Sequence, residues 1–253
     1  MIQPTLLYYD MNPDVVAFST TRQGGYSTGC YSEFNINRYC GDTDEAIQKN
    51  RALLCQLLDI RDNQLIMPHQ VHQTEIAVVD GNHDINLEGI DALMTNVPEL
   101  CIGVSTADCI PVLLYDPARH AACAIHAGWR GTVQRIVEKA VHKMTEVYGT
   151  HHTDIIAQIG PGISLDSFEV GNEVYDAFAQ AGFDMSSISE RRDKWHIDLP
   201  TCNRQQLIAA GVKEDNIAVS DICTVKHSDT FFSARRLGIQ SGRIFTGIIC
   251  KRR

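Results

Sequence analysis

The chain has 253 residues, 44% of them hydrophobic, enough to bury a sizeable core as one domain spanning residues 1–253. Its net charge of −9 argues against a nucleic-acid surface, and no segment approaches the ~20 apolar residues of a membrane span. Nine cysteines, an odd number with no Cys-x-x-Cys pair, make no disulfide framework. No basic stretch leads into an apolar run at the N-terminus, so a cytoplasmic location is expected.

In chain order, residues 15–20 read as a strand entering the loop Arg22-Gln23-Gly24-Gly25. A helix capped by Asp42 or Thr43 runs to about Leu58, with Ile47, Leu53, Leu54, Leu57 and Leu58 as its apolar face. Asn50 and Arg51 fall in its middle, so Arg51 is expected to point out of a rigid element. Pro68-His69-Gln70-Val71-His72 precedes a short strand at residues 76–79, and further strands are predicted at 93–95 and 101–105. Residues 111–115 and 121–125 are apolar and β-prone, and Asp116-Pro117-Ala118-Arg119 between them is a turn sequence. A helix is predicted from near Thr132, where Val133, Ile136, Val137, Ala140, Val141, Met144 and Val147 keep helical spacing. Later helices are expected at about 169–181 and 200–210, and strands at 217–219 and 243–249. Hairpin-paired strands with separate helices imply an α+β fold of mixed and antiparallel sheets with packed helices.

The chemistry gathers around the central hairpin. With the turn centred on Pro117-Ala118, Cys109 stands directly opposite His126 on the same face, with Cβ atoms roughly 5 Å apart. A thiol and an imidazole so placed bind a metal or form a nucleophile–base pair. A turn one residue longer would break the alignment. His126-Ala127-Gly128-Trp129-Arg130-Gly131 feeds the predicted helix, whose N-terminus and Arg130 suit an anion. One of His69 and His72 joined to Cys109 and His126 makes a His-Cys-His set, and three ligands with an open position is the pattern of catalytic zinc. Arg235-Arg236 and Arg243 are candidate phosphate contacts. Gly160-Pro161-Gly162 reads as a turn, with a backbone-amide nest as the alternative, and Cys202 and Cys223 read as core.

These residues carry a resemblance. Thr20-Thr21-Arg22-Gln23-Gly24-Gly25, Asn50-Arg51, His69-Gln70-Val71-His72, Asp91-Ala92-Leu93, Thr106-Ala107-Asp108-Cys109 and His126-Ala127-Gly128-Trp129-Arg130-Gly131 run through the first half. Ile159-Gly160-Pro161-Gly162-Ile163, Asp221-Ile222-Cys223-Thr224, Phe232-Ser233-Ala234-Arg235-Arg236 and Gly242-Arg243 follow. In this order they resemble the YfiH-type family, variously called laccase-domain, polyphenol oxidase and purine nucleoside phosphorylase. The resemblance implies a fold related to the catalytic domain of cytotoxic necrotizing factors. It implies a zinc site from His72, Cys109 and His126, with Cys109, His126 and Arg51 catalytic. It further implies a nucleoside pocket contacted by Arg22, Arg51, Gln70, Arg130, Arg235 and Arg236. Tyr26, where a small aliphatic residue is usual, and Leu237-Gly238-Ile239, where Asp-Gly is usual, depart from the pattern at the pocket's edges.

Three classes of function follow. The resemblance implies a zinc enzyme that phosphorolyses adenosine, inosine and methylthioadenosine and deaminates adenosine. Its partners are then a purine nucleoside and phosphate. A copper phenol oxidase is the alternative, since His and Cys also bind copper, but the chain has no His-x-His pair of the kind multicopper clusters use. A Cys-His hydrolase or deamidase is the third, distinguished by metal content, because a zinc-ligated thiolate is not free to attack an acyl group.

Overall fold

The structure is a computed structural model that describes residues 3–81 and 85–253. Two mixed sheets face each other. The first has the order β1-β2-β14-β6-β3, built from β1 (Leu6–Tyr9), β2 (Val15–Thr20), β3 (Leu65–Ile66), β6 (Cys101–Thr106) and β14 (Ile244–Cys250). The second has the order β13-β9-β7-β8-β5-β4, from β4 (Ile76–Val78), β5 (Ala92–Thr95), β7 (Ile110–Asp116), β8 (Ala121–Ala127), β9 (Ile156–Ile159) and β13 (Ile217–Val219). A small third sheet, β10 (Glu169–Val170), β12 (Trp195–Ile197) and β11 (Ser189–Arg191), lies in the second half of the chain. The architecture is the α+β arrangement expected from the sequence.

Strand alternation decides what each sheet touches, because successive side chains point to opposite faces. Along β8, Ala122 and Ala124 join Val15, Ile102, Val104 and Ile248 in the layer between the sheets. Ala121, Cys123, Ile125 and Ala127 face the other way, onto α3 (Ile136–Tyr148) and α6 (Leu199–Ala209). The outer face of the first sheet, with Phe18, Cys101 and Phe245, packs against Leu54 and Cys55 of α1 (Asp44–Leu58). The order is therefore helix, sheet, sheet, helices. His126 has the parity of Ala122 and Ala124, so it sits at the end of β8 at the edge of the inter-sheet layer.

Two expectations are corrected here. The hairpin turn is longer than predicted: Asp116 pairs with Ala121, and Asp116 Oδ1 accepts from the N–H groups of Ala118 and Arg119 at 2.8 and 3.1 Å. The partner of His126 is therefore Pro111, and Cys109 lies just before β7. The shift is two residues, so parity survives; a shift of one would have turned every side chain to the other face. The helix expected from Thr132 is two helices, α2 (Trp129–Val133) and α3, broken at Arg135 with φ 64°. A left-handed non-glycine residue costs about 1–3 kcal/mol. Arg135 is held there by the Ala181 carbonyl at 2.9 Å and by the Phe183 ring 3.8 Å from its guanidinium carbon. The break lets Ile136, Val137, Ala140, Val141 and Met144 face the sheet fully buried, and each of these side chains but the Ala140 methyl contributes about 1.5–3 kcal/mol. A five-residue α2 is too short to carry the anion-binding role expected of it. The remaining helices are α4 (Asn172–Gln180), α5 (Met185–Ile188) and α7 (Ala234–Leu237). No helix of the described residues is long and apolar enough to cross a membrane.

Candidate metal centre and cavity

His72, Cys109 and His126 come from three separate places: the loop before β4, the residue before β7, and the end of β8. Their ligand atoms all lie within 4.8 Å of one another. Two atoms bound tetrahedrally to one zinc ion at ~2.0–2.3 Å are roughly 3.3–3.6 Å apart, so the set needs to close by about 1.5 Å at most. A thiolate and two imidazoles suit zinc or copper. The donor set and spacing therefore fit a single ion. Cys109 meets His126 without direct pairing because Gly128 stands opposite Cys109 in the continued register. A Cβ on Gly128 would lie 3.0 Å from His72 Cδ2 and 3.1 Å from Cys109 Sγ.

Asp91, fully buried immediately before β5, ties the cluster together. Its Oδ1 accepts from the His72 N–H at 3.0 Å and from His126 Nδ1 at 2.7 Å. Its Oδ2 accepts from the N–H groups of Val71 at 3.2 Å and Gln73 at 2.8 Å. His72 itself is in the left-handed region at φ 63°. Burial raises the Asp91 carboxyl, but the His126 contact and these N–H groups outweigh it and hold the acid below its ordinary value. Burial likewise pushes the Cys109 thiol up, yet facing His126 and His72 brings it down to about 6. His126 is pushed down by burial and up by Cys109 and Asp91, ending raised to about 9.

The cluster forms part of the wall of a cavity of about 730 Å³, within the range of small-molecule sites. Tyr39 and His69 stack on one wall, with ring centroids 4.1 Å apart, and His69 Nδ1 lies 2.6 Å from Glu88 Oε1. Trp129 and Phe168 add further aromatic surface, and Arg235 and Arg243 supply positive charge. Asp108, at φ 87°, also lines the cavity; its carboxylate accepts from Thr224 Oγ1 at 2.6 Å and the Arg235 N–H at 2.7 Å. It thereby links the residue before Cys109 to α7.

The other sequence candidates divide. Gln70 lines the cavity with its amide fixed to Ser105, donating to the carbonyl at 2.8 Å and accepting from the N–H at 2.7 Å. Arg235 lines it with its guanidinium donating to the carbonyls of Ser167 and Glu169. Arg51 does not line it. The helix α1 buries the face bearing Ile47, Asn50, Arg51 and Leu54, so Arg51 points inward, contrary to the expectation that it projects from the helix. Its guanidinium is held by Asp62 Oδ1 at 3.0 Å and the Leu65 carbonyl at 3.3 Å. Asn50 beside it accepts from Tyr26 N–H and donates to Ser27 Oγ and the carbonyls of Glu33 and Asn35. A polar pair within a helical stripe is thus compatible with burial because each group has a partner. Arg22 donates to the carbonyls of Ser32 and Ser228 and lies over Phe232, away from the cavity wall. Arg130 is exposed over the Trp129 ring, and Arg236 is exposed; neither lines the cavity. Asp91, Asp108, Tyr39 and Phe168 were not singled out as site residues from the sequence. Asp91 and Asp108 fell within matched blocks, but nothing in a one-dimensional pattern shows which carboxylate is buried beneath a histidine.

Residues 16–251 match the family described as multi-copper polyphenol oxidoreductase laccase. The chain is 47% identical over 243 residues to a protein of Bacteroides thetaiotaomicron named purine nucleoside phosphorylase, covering 92% of this chain and 90% of that protein. It is 42% identical to adenosine deaminase RL5 of an unknown prokaryotic organism, covering 94% of each. Among solved structures, the hypothetical protein YfiH of Bacillus licheniformis superposes with a TM-score of 0.93 at 28% identity, covering 98% of this chain and 97% of that one.

Proposed function

The chain belongs to the multi-copper polyphenol oxidoreductase laccase family, and from that premise we propose that it is a zinc-dependent purine nucleoside phosphorylase that also deaminates adenosine. Its substrates on this reading are adenosine, inosine and methylthioadenosine with phosphate. One observation carries it: a three-ligand cluster opens into a nucleoside-sized cavity that Arg235 and Arg243 also line. Among the described residues neither arginine forms an ion pair with a carboxylate, so the positive charge of both is uncompensated, although their guanidinium groups also donate to backbone carbonyls. The names of the relatives in Bacteroides thetaiotaomicron and of RL5 agree with the two reactions.

In phosphorolysis the bond from C1′ to the base breaks, the base departs with the electron pair and takes up a proton, and a phosphate oxygen bonds to C1′. Arg235 and Arg243 hold the phosphate against the positive charge that develops on the sugar. The aromatic walls of Tyr39, His69, Trp129 and Phe168 offer faces to the purine. His72, Cys109 and His126 would hold the zinc, which supplies a Lewis acid and a water of lowered pKa, the chemistry that attack at C6 of adenine requires.

The test is to incubate the zinc-loaded protein with adenosine or inosine, with and without phosphate, and to separate the products. Phosphate-dependent release of base and ribose 1-phosphate is expected, with inosine formed slowly from adenosine. Nucleosides left intact, while copper-loaded protein oxidises phenols at roughly 1–10³ s⁻¹, would overturn the reading. A second reading has an observation of its own. Cys109 faces His126, and Asp91 lies behind that ring, the order of a nucleophile, base and orienting acid. Under that reading zinc inhibits rather than activates.

A further inference from the structure

Asp91 serves both histidines at once. Its two oxygens accept four hydrogen bonds, from the N–H groups of Val71, His72 and Gln73 and from the His126 ring. The three consecutive backbone donors wrap the carboxylate as a concave anion nest. That wrap holds His72 at φ 63°, a backbone conformation that an L-residue rarely adopts unaided. The Asp91 carbonyl also accepts the His126 backbone N–H at 2.8 Å. A carboxylate can only accept, so His126 Nδ1 must carry the proton, which leaves Nε2, on the side of Cys109 and His72, as the ring nitrogen that a metal would take.

We infer that Asp91 is a positioning residue that sets two of the three metal ligands together, the tautomer of His126 and the backbone of His72. The inference rests on the metal reading of the cluster. Replacing Asp91 with asparagine keeps the shape but converts one acceptor oxygen into an NH2 donor. If the remaining oxygen occupies the Oδ1 place, Val71 and Gln73 face a donor and the His72 loop loosens. If it occupies the Oδ2 place, His126 Nδ1 faces a donor, the tautomer switches, and the Nε2 lone pair is lost. Either orientation damages a ligand.

The test is zinc affinity, measured by equilibrium dialysis on the full chain, with circular dichroism as the check on folding. Asp91→Asn is expected to weaken zinc binding by about 10–100-fold, as loss of a hydrogen-bonding partner behind a metal ligand does. A double-mutant cycle then separates the two arms. In a His126→Ala background, Asp91→Asn should still weaken binding by roughly threefold or more, through His72. No residual effect there would overturn the coupling to His72, and parent-like affinity in Asp91→Asn would overturn the role altogether. A parent chain that binds no zinc refutes the metal reading and this inference together, an outcome distinct from the other two. If Asp91→Asn does not fold, Asp91→Glu keeps the charge while displacing it by one methylene, and parent-like zinc affinity in that variant likewise refutes the inference.

Discussion

Gly128→Ala is the sharpest perturbation available to the ligand cluster. The backbone at Gly128, φ −67° and ψ 165°, is extended and open to any residue, so alanine brings no backbone strain. Restricting the unfolded chain stabilises by about 0.4–1 kcal/mol, and crowding costs about 1–3 kcal/mol. The net effect on folding is therefore a loss of at most about 2.6 kcal/mol. The effect on the site is larger. The new methyl would stand 3.0 Å from His72 Cδ2 and 3.1 Å from Cys109 Sγ, where ordinary contact begins at 3.4 Å. Both ligands must retreat by some 0.3–0.4 Å or more, while metal–ligand distances tolerate about ±0.2 Å. The methyl stands between two of the ligands and opposes any closing of the cluster onto one ion. Zinc affinity is expected to fall by at least about tenfold, and nucleoside turnover with it, since misplacement near 1 Å costs about 10²-fold. Competition against a chromophoric chelator measures the first, product chromatography the second, and a thermal melt the folding. A variant that keeps the parent's zinc affinity and turnover would refute the claim that Gly128 is needed for ligand closure.

Cys109→Ala and His126→Ala should bind zinc far more weakly, keeping only the residual affinity of the two remaining ligands, and lose most activity yet remain folded, because the core between the two sheets does not depend on the metal; metal analysis and circular dichroism check this, and unfolded variants would make the site structural. Arg51→Ala is expected to destabilise by about 1–3 kcal/mol, since buried carbonyl acceptors lose their donor; a lowered Tm with unchanged kcat/KM per folded molecule separates this from a catalytic role, which would show the reverse. In zinc-free protein at neutral pH, iodoacetamide should modify Cys109 ahead of Cys101, Cys123 and Cys202, because a thiol held to about 6 is mostly thiolate there while those three are buried and pushed far up. Mass spectrometry locates the adduct; zinc should protect the residue, and a lack of protection would count against zinc ligation.

What the sequence determined by itself was local or pairwise. The β2 strand, the α1 helix with Thr43 as its cap, and the hairpin strands β7 and β8 were legible because period and turn composition are properties of neighbouring residues. The three ligand candidates were legible because thiol and imidazole are scarce chemistries in distinctive company. Tertiary structure decided the rest. A four-residue turn moved the hairpin register by two, and the site survived because that shift preserves parity and because Gly128 leaves room for Cys109. Docking of Arg135 against Ala181 and Phe183 broke a helix whose periodicity ran on unbroken. Arg51 looked like a projecting contact, but the partners that turn it inward, Asp62 and the Leu65 carbonyl, lie beyond the end of its own helix. Asp91 was one acid among many in the sequence; only the folded chain brings three backbone N–H groups and an imidazole to a single carboxylate, because those donors lie on a loop and a strand that approach it from different parts of the chain.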